Sequence, residues 1–108
     1  MIYIASPLTS PNNSLQKLRH KQVKYFVEQY MRFHSIVLHS PVVYGWALTK
    51  GTKILTDFKT WSKYNYEMLS ICSELWVLKL DGWELSVGVT QEIKWAKELG
   101  LIIKYVSL

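Results

Sequence analysis

The residues of this chain best suited to chemistry fall in one stretch, DGWELSVGVTQE, from Asp81 to Glu92. Ser86 stands where a helix would begin. Its hydroxyl can cap the first turn, and the outward N–H groups of Val87 and Gly88, with the helix dipole, make a site for an anion. Gly88 has no side chain and lets a ligand approach the backbone closely. On a helix starting near Val87, Glu92 falls one turn before Ala96 and close in angle to Val89 and Ile93, so its carboxylate shares the apolar, inward face. Taking a carboxylate out of water is costly. The spacing leaves two readings open: a structural Glu paired with a buried donor, or a carboxylate positioned for catalysis.

Holding such a group requires a strand, a loop and a helix in succession. Leu75 to Leu80 (LWVLKL) reads as a buried strand, and Ser86 to Leu99 as an amphipathic helix with Gly100 as its C′ residue. A strand feeding a helix through a loop is where α/β proteins place ligands. Asp81-Gly82 is also a hairpin signal, and a hairpin would remove the helix terminus. The helix is preferred because VTQEIKWAKELG has helical periodicity, strong helix formers and a terminal Gly.

Upstream, Ile2 to Ala5 is a short apolar run that suits a central parallel strand. The loop SPLTSPNNS follows, opening on Ser6 and Pro7. It is either a plain connector or a ligand-touching loop at the carboxyl end of a strand. A helix is expected from Ser14 to about Phe33, with Val23, Phe26, Val27, Tyr30 and Met31 on one face. Ser35 to Ser40 gives a second strand ended by Pro41. His39 at its end is a satisfied polar residue or faces the same mouth as the first loop. Val42 to Thr56, with Tyr44, Gly45, Trp46 and Gly51, lacks a period and reads as a loop with a short helical turn, either an aromatic pocket wall or a lid over the core. Asp57 to Cys72 returns to helical spacing through Phe58, Trp61, Tyr64, Met68, Leu69 and Cys72, with Asn65 one turn on from Trp61. A last strand runs from Leu101 to Val106. This order predicts a flavodoxin-like or Rossmann-like α/β fold, a parallel sheet of four to five strands with helices on both faces.

Composition bounds what such a domain can do. The 108 residues suffice for one modest core, hence a single domain over residues 1–108 that self-association would help. Five Trp, seven Tyr and three Phe exceed what that core needs, so some are expected at a ligand wall or subunit contact. The net charge of +5 favours anionic ligands. Lys17, Arg19, His20, Lys21 and Lys24 read as a solvated helix face; a nucleic-acid polymer is not expected, because no aromatic-interleaved basic run or zinc-finger spacing accompanies them. Cys72 is the one cysteine, which excludes an intrachain disulfide and a CxxC metal site. No His or carboxylate stands at metal spacing from His39, so no metal is expected. The opening residues are too short an apolar run for a signal peptide and no segment reaches the length of a membrane span, which points to a cytoplasmic protein.

The opening YIASPLT, the SPVVYG segment and WSKYNYEMLSICSELWVLKLDGWELSVGVTQEIKWAKELG resemble the nucleoside 2-deoxyribosyltransferase superfamily. They are most similar to a small branch, found in phages and bacteria, with a GWExSxGVxxE signature. The resemblance covers nearly the whole chain. It implies either exchange of bases between deoxyribonucleosides or hydrolysis of the N-glycosidic bond of deoxyribonucleoside 5′-monophosphates, with no cofactor. It makes Glu92 the nucleophile that forms a glycosyl-enzyme ester. Ser86, with the N–H groups of Val87 and Gly88, would hold a 5′-phosphate, and Gly82, Trp83 and Asn65 would join the substrate-binding residues. Tyr3, Ser6, Pro7, Ser40, Tyr44 and Trp46 would wall the sugar and base. Where those relatives carry an Asp before the central strand, this chain has Asn65, which cannot act as a general acid. Asp81 or Glu84 would then substitute, or the protein would bind a nucleotide without turning it over, as a phage sponge for a nucleotide signal would. A homodimer or larger homo-oligomer is expected, a neighbouring subunit completing the site.

Overall fold

A strand in the middle of a parallel sheet is covered on both sides, so its residues must be apolar at every position, and two stretches of this chain meet that condition. The structure, a computed structural model, describes residues 1–49 and 58–108, and of Phe58 the backbone only. Ile2–Ala5 (β1) and Glu74–Leu78 (β3) form the centre of a four-stranded parallel sheet, with Leu38–His39 (β2) and Ile102–Val106 (β4) at its edges, in the order β2-β1-β3-β4. Every residue of β1 is buried, as are four of the five in β3.

Alternation along the strands divides the interior in two. Ile2, Ile4, Trp76 and Leu78 point to one face, where Asn13–His34 (α1) and Pro41–Thr49 (α2) cover them through Val23, Phe26 and Val42. Tyr3, Ala5, Leu75 and Val77 point to the other, under Phe58–Ser70 (α3) and Val87–Glu98 (α4) with Leu69, Val89 and Ala96. Helices therefore lie on both faces. The chain moves outward from β1 to β2, then returns past β1 to β3. That reversal opens a crevice between the loops after β1 and β3, the topological switch point at which doubly wound sheets take their ligands.

Local signals explain the element ends. The Asn12 side chain accepts from the N–H groups of Ser14 (2.9 Å) and Leu15 (3.2 Å) and starts α1; Ser35, in the left-handed region at φ 51°, ends it. Gly100 at φ 71° follows α4. Between β3 and α4 the chain makes a single 3-10 turn, Trp83–Leu85, and β3 pairs with β4 in parallel, so Asp81-Gly82 does not form a hairpin.

The segment from Val42 onward departs from the expected loop: α2 runs to Thr49. Ser40 caps it by accepting from Val43 N–H (3.1 Å), and Pro41 occupies its first turn, where no N–H partner is needed. PVVYGWALT is apolar nearly all round, so no period marks the helix, although Val42 is its one buried residue. Gly51, the rest of that segment beyond Thr49, and Asp57 lie outside the described residues. The second strand is also shorter than expected, two residues of the stretch Ser35 to Ser40. Among the described residues no helix is long and apolar enough to cross a membrane.

Replacing Asn12 by Ala removes both capping bonds of α1 and should lower stability by about 1 kcal/mol, measured by urea denaturation. An unchanged midpoint would mean that the cap contributes nothing.

Candidate active site

Glu92 lies on the buried face of α4, 6 % exposed, beside Val89 and Ala96. Tyr3, fully buried at the centre of the sheet, donates its hydroxyl to Glu92 Oε2, and among the described residues this is the carboxyl group's one hydrogen bond. Burial pushes the Glu92 pKa up from 4.5 to about 8, while the Tyr3 hydrogen bond pulls it down by stabilising the anion. Burial, and then the neighbouring Glu92 charge, hold the Tyr3 phenol well above its usual range. The pair is thus a carboxyl group poised near neutrality, fixed at one oxygen by a donor that keeps its own proton. A group in that state can act as acid, base or nucleophile.

On the other side of Tyr3 stands His39. The sheet register pairs the two residues, and their rings lie 5.8 Å apart. The ring centres of Tyr44 on α2 and Tyr64 on α3 lie 6.1 and 5.8 Å from His39, and these two tyrosines stack on each other at 5.3 Å. Trp61 meets both edge-on. Burial lowers the His39 pKa and so favours the neutral ring. Among the described residues His39 Nε2, Asn65 Oδ1, Ser6 Oγ and Arg19 Nε are buried without hydrogen-bond partners. Native interiors seldom leave such groups unpaired. Asn65 sits one turn before Leu69 on the inner side of α3, and Pro7 is fully buried next to Ser6. The sequence thus brings Tyr3, Ser6, Pro7 and Ser40 to the carboxyl ends of β1 and β2. Trp46, by contrast, stacks on His20 of α1 at 4.4 Å, away from the aromatic cluster around His39. Trp61 and Tyr64 were legible only as helix-face residues.

The loop after β3 supplies the third wall. Ser86 Oγ accepts from Val89 N–H (3.2 Å) and caps α4, which leaves its own hydroxyl proton free to donate. A Cβ on Gly88 would meet nothing nearer than Ser86 Oγ at 3.9 Å, so the first turn is open to approach. Asp81, Gly82 and Glu84 are exposed, Val87 is 77 % exposed, and Trp83 turns toward Tyr105 of β4 (5.6 Å). Asp81 shares no hydrogen bond with Glu92.

One contributor was hidden in the basic run of α1. Arg19 is buried, and its guanidinium donates to the backbone oxygens of Leu8, Thr9 and Asp81. Its place four and seven residues before Val23 and Phe26 is the sequence signal that it, alone of that basic run, turns inward. Elsewhere, a groove of about 430 Å³ between α3 and α4, lined by Lys59, Ser62, Lys63, Tyr66 and Trp95, does not reach Glu92. Among the described residues no three His, Cys, Asp or Glu side chains gather where they could hold a metal ion.

The raised Glu92 pKa sets a pH dependence of stability. Between the unfolded value near 4.5 and the folded value near 8, the native chain holds a proton that the unfolded chain has shed. Stability therefore falls as pH rises through that window, by about 5 kcal/mol over 3.5 units at about 1.4 kcal/mol per unit. Glu92→Gln should remove this slope and stabilise the protein most above pH 8, as read by denaturation at pH 5 and pH 9. Equal slopes in the two proteins would show that Glu92 does not titrate this way.

Over residues 1–107 the chain matches the model of a family described as a domain of unknown function (DUF1937). No curated protein matches it by sequence. Among solved structures it is similar to a 2-desoxiribosyltransferase from Leishmania mexicana, with a TM-score of 0.62 and 19 % identity. That match covers 98 % of this chain and 63 % of the other, so the chain spans less than two thirds of the transferase's length, and the likeness is one of fold. Because that family model spans residues 1–107, the chain belongs to the DUF1937 family.

Proposed function

We propose that this protein cleaves or exchanges the base of a nucleoside, or of its 5′-monophosphate, through a covalent glycosyl ester on Glu92. The observation that carries this reading is the buried Glu92 carboxyl group held by the Tyr3 hydroxyl beside the switch point of a deoxyribosyltransferase-like fold. One carboxylate oxygen attacks the anomeric carbon, the bond to the base nitrogen breaks, and its electron pair leaves with the base. Tyr3 holds the carboxyl group in place. Water or a second base then attacks the same carbon and gives its proton to Asp81, while the ester C–O bond breaks with its electron pair returning to the Glu92 carboxylate, as in retaining glycosidases. Ser86 and the N–H groups of Val87 and Gly88 receive a 5′-phosphate at the start of α4. Tyr3, Ser6, Pro7, Ser40 and Tyr44 border sugar and base, and Asp81, exposed at the end of β3, serves as proton partner for the departing base.

Asn65 favours a second reading from a different class. An amide neither gives nor takes a proton in this range, so a protein with Asn65 in this place could bind a nucleotide and leave it intact. The two readings separate on one panel: deoxyribo- and ribonucleosides and their 5′-monophosphates, with and without a free base, followed by chromatography of released base. The enzyme reading predicts base release from at least one member, reduced at least ~10³-fold by Glu92→Gln with binding retained. Ligand recovered intact from the wild type and from Glu92→Gln alike would establish the binder instead.

Attack requires the ionised carboxylate, whereas the free protein holds Glu92 largely protonated at neutral pH. Accordingly kcat/KM should rise about tenfold per pH unit and level off above about pH 8. A profile flat from pH 6 to 9 would contradict Glu92 as the nucleophile.

A further inference from the structure

Arg19 occupies an unusual position for a surface-helix cation. It projects from α1 into the crevice between the loops after β1 and β3, the gap left by the reversal in strand order. On one side its Nη1 donates to Thr9 O (3.1 Å) and Leu8 O (3.4 Å); on the other its Nη2 donates to Asp81 O (2.9 Å). The following residue, Gly82, adopts φ 85°, and a Cβ there would lie 2.7 Å from Nη2. Gly82 therefore serves twice, by taking a left-handed turn and by leaving room for the guanidinium. No carboxylate of the described residues lies within ion-pair distance of Arg19. A buried charge held by carbonyl oxygens at its Nη atoms, with Nε unpaired among the described residues, is a costly arrangement for stability, and a Met of similar reach would fill the same space without that cost.

We infer that Arg19 is a positioning residue: its forked guanidinium, admitted by Gly82, clasps the loop after β1 to the loop after β3 and fixes the spacing of the two walls between which the ligand sits. Those walls carry Ser6 and Pro7 on one side and Asp81 to Ser86 on the other. The planar fork matters, because a Lys has a single nitrogen and cannot present the same donors to both loops in fixed directions. The clasp is a property of the chain itself. Its consequence for turnover rests on the glycosidase reading.

The test uses the full chain, the variants Arg19→Lys and Gly82→Ala, and amide order parameters by ¹⁵N relaxation. In the wild type Leu8, Thr9 and Ser10 should be as rigid as β1, at about 0.85. In Arg19→Lys both loops should fall below about 0.6 while β1 and β3 stay rigid. Gly82→Ala gives the sharper readout, because the added methyl displaces Arg19 and should loosen Leu8 to Ser10 in the opposite loop, which a local defect at residue 82 would not do. With a substrate from the nucleotide panel, Arg19→Lys should raise KM about tenfold with kcat nearly unchanged, the mark of lost preorganisation. Loosening confined to the substituted loop, or loops as rigid in both variants as in the wild type, would overturn the clasp. Absence of any nucleotide turnover or binding would overturn the glycosidase reading and leave the relaxation result to decide the clasp.

Discussion

A carboxyl group on the inward face of a helix must find a donor or give up its charge, and in this protein the donor is a tyrosine at the centre of the sheet. That requirement links distant parts of the chain. Tyr3 must lie on the face of β1 that α4 covers, which fixes the register of β1 against β3 and places Ile2 and Ile4 on the opposite face. Glu92 must fall one turn before Ala96, so the cap at Ser86 and the 3-10 turn before it set the height at which the carboxyl group meets the phenol. Burial raises the Glu92 pKa and the hydrogen bond opposes the rise, leaving a group that changes charge near pH 8.

Around this pair the sheet order supplies the opening. The switch between β1 and β3 parts the two loops, and α2 and α3 bring Tyr44 and Tyr64 over His39 beside it. Buried polar atoms on Ser6, His39, Asn65 and Arg19 stand unpaired among the described residues. In a core built for stability alone each would be an expense without return, whereas next to a ligand mouth they are groups awaiting partners. Arg19 belongs to the same pattern, a buried cation whose Nη atoms bind carbonyls of the two loops while its Nε finds no partner among the described residues.

Much of this was legible in the sequence because the physics that builds it is local. Uninterrupted apolar runs marked β1 and β3, and the period of VTQEIKWAKEL put Glu92 inside before any contact was known. The helix α2 escaped because an apolar surface on all sides erases the period that marks a helix; Ser40-Pro41, a cap followed by a first-turn proline, was the signal that could have revealed it. Arg19 escaped for a different reason. Lys17, His20, Lys21 and Lys24 surround it in sequence and hide it in a basic run, although its spacing of four and seven residues from Val23 and Phe26 puts it on the buried face; its partners, ten, eleven and sixty-two residues away, leave no local signal. Trp46 shows the limit in the other direction, since neighbours on one helix, Tyr44 and Trp46, face different partners. The Tyr3–Glu92 bond spans eighty-nine residues; the sequence left a buried donor and a catalytic placement as alternatives for Glu92 and named no donor.

The central claim is that Glu92 forms a bond to the sugar, and trapping that bond tests it most directly. The protein would be mixed with a nucleotide that it turns over, quenched in acid within the first turnovers, digested, and its peptides weighed. The peptide containing Glu92 should gain the mass of one sugar or sugar phosphate, the gain should map to the Glu92 side chain, and Glu92→Gln should abolish it. Rapid base release with Glu92 unmodified throughout, or an adduct on another residue, would contradict the claim.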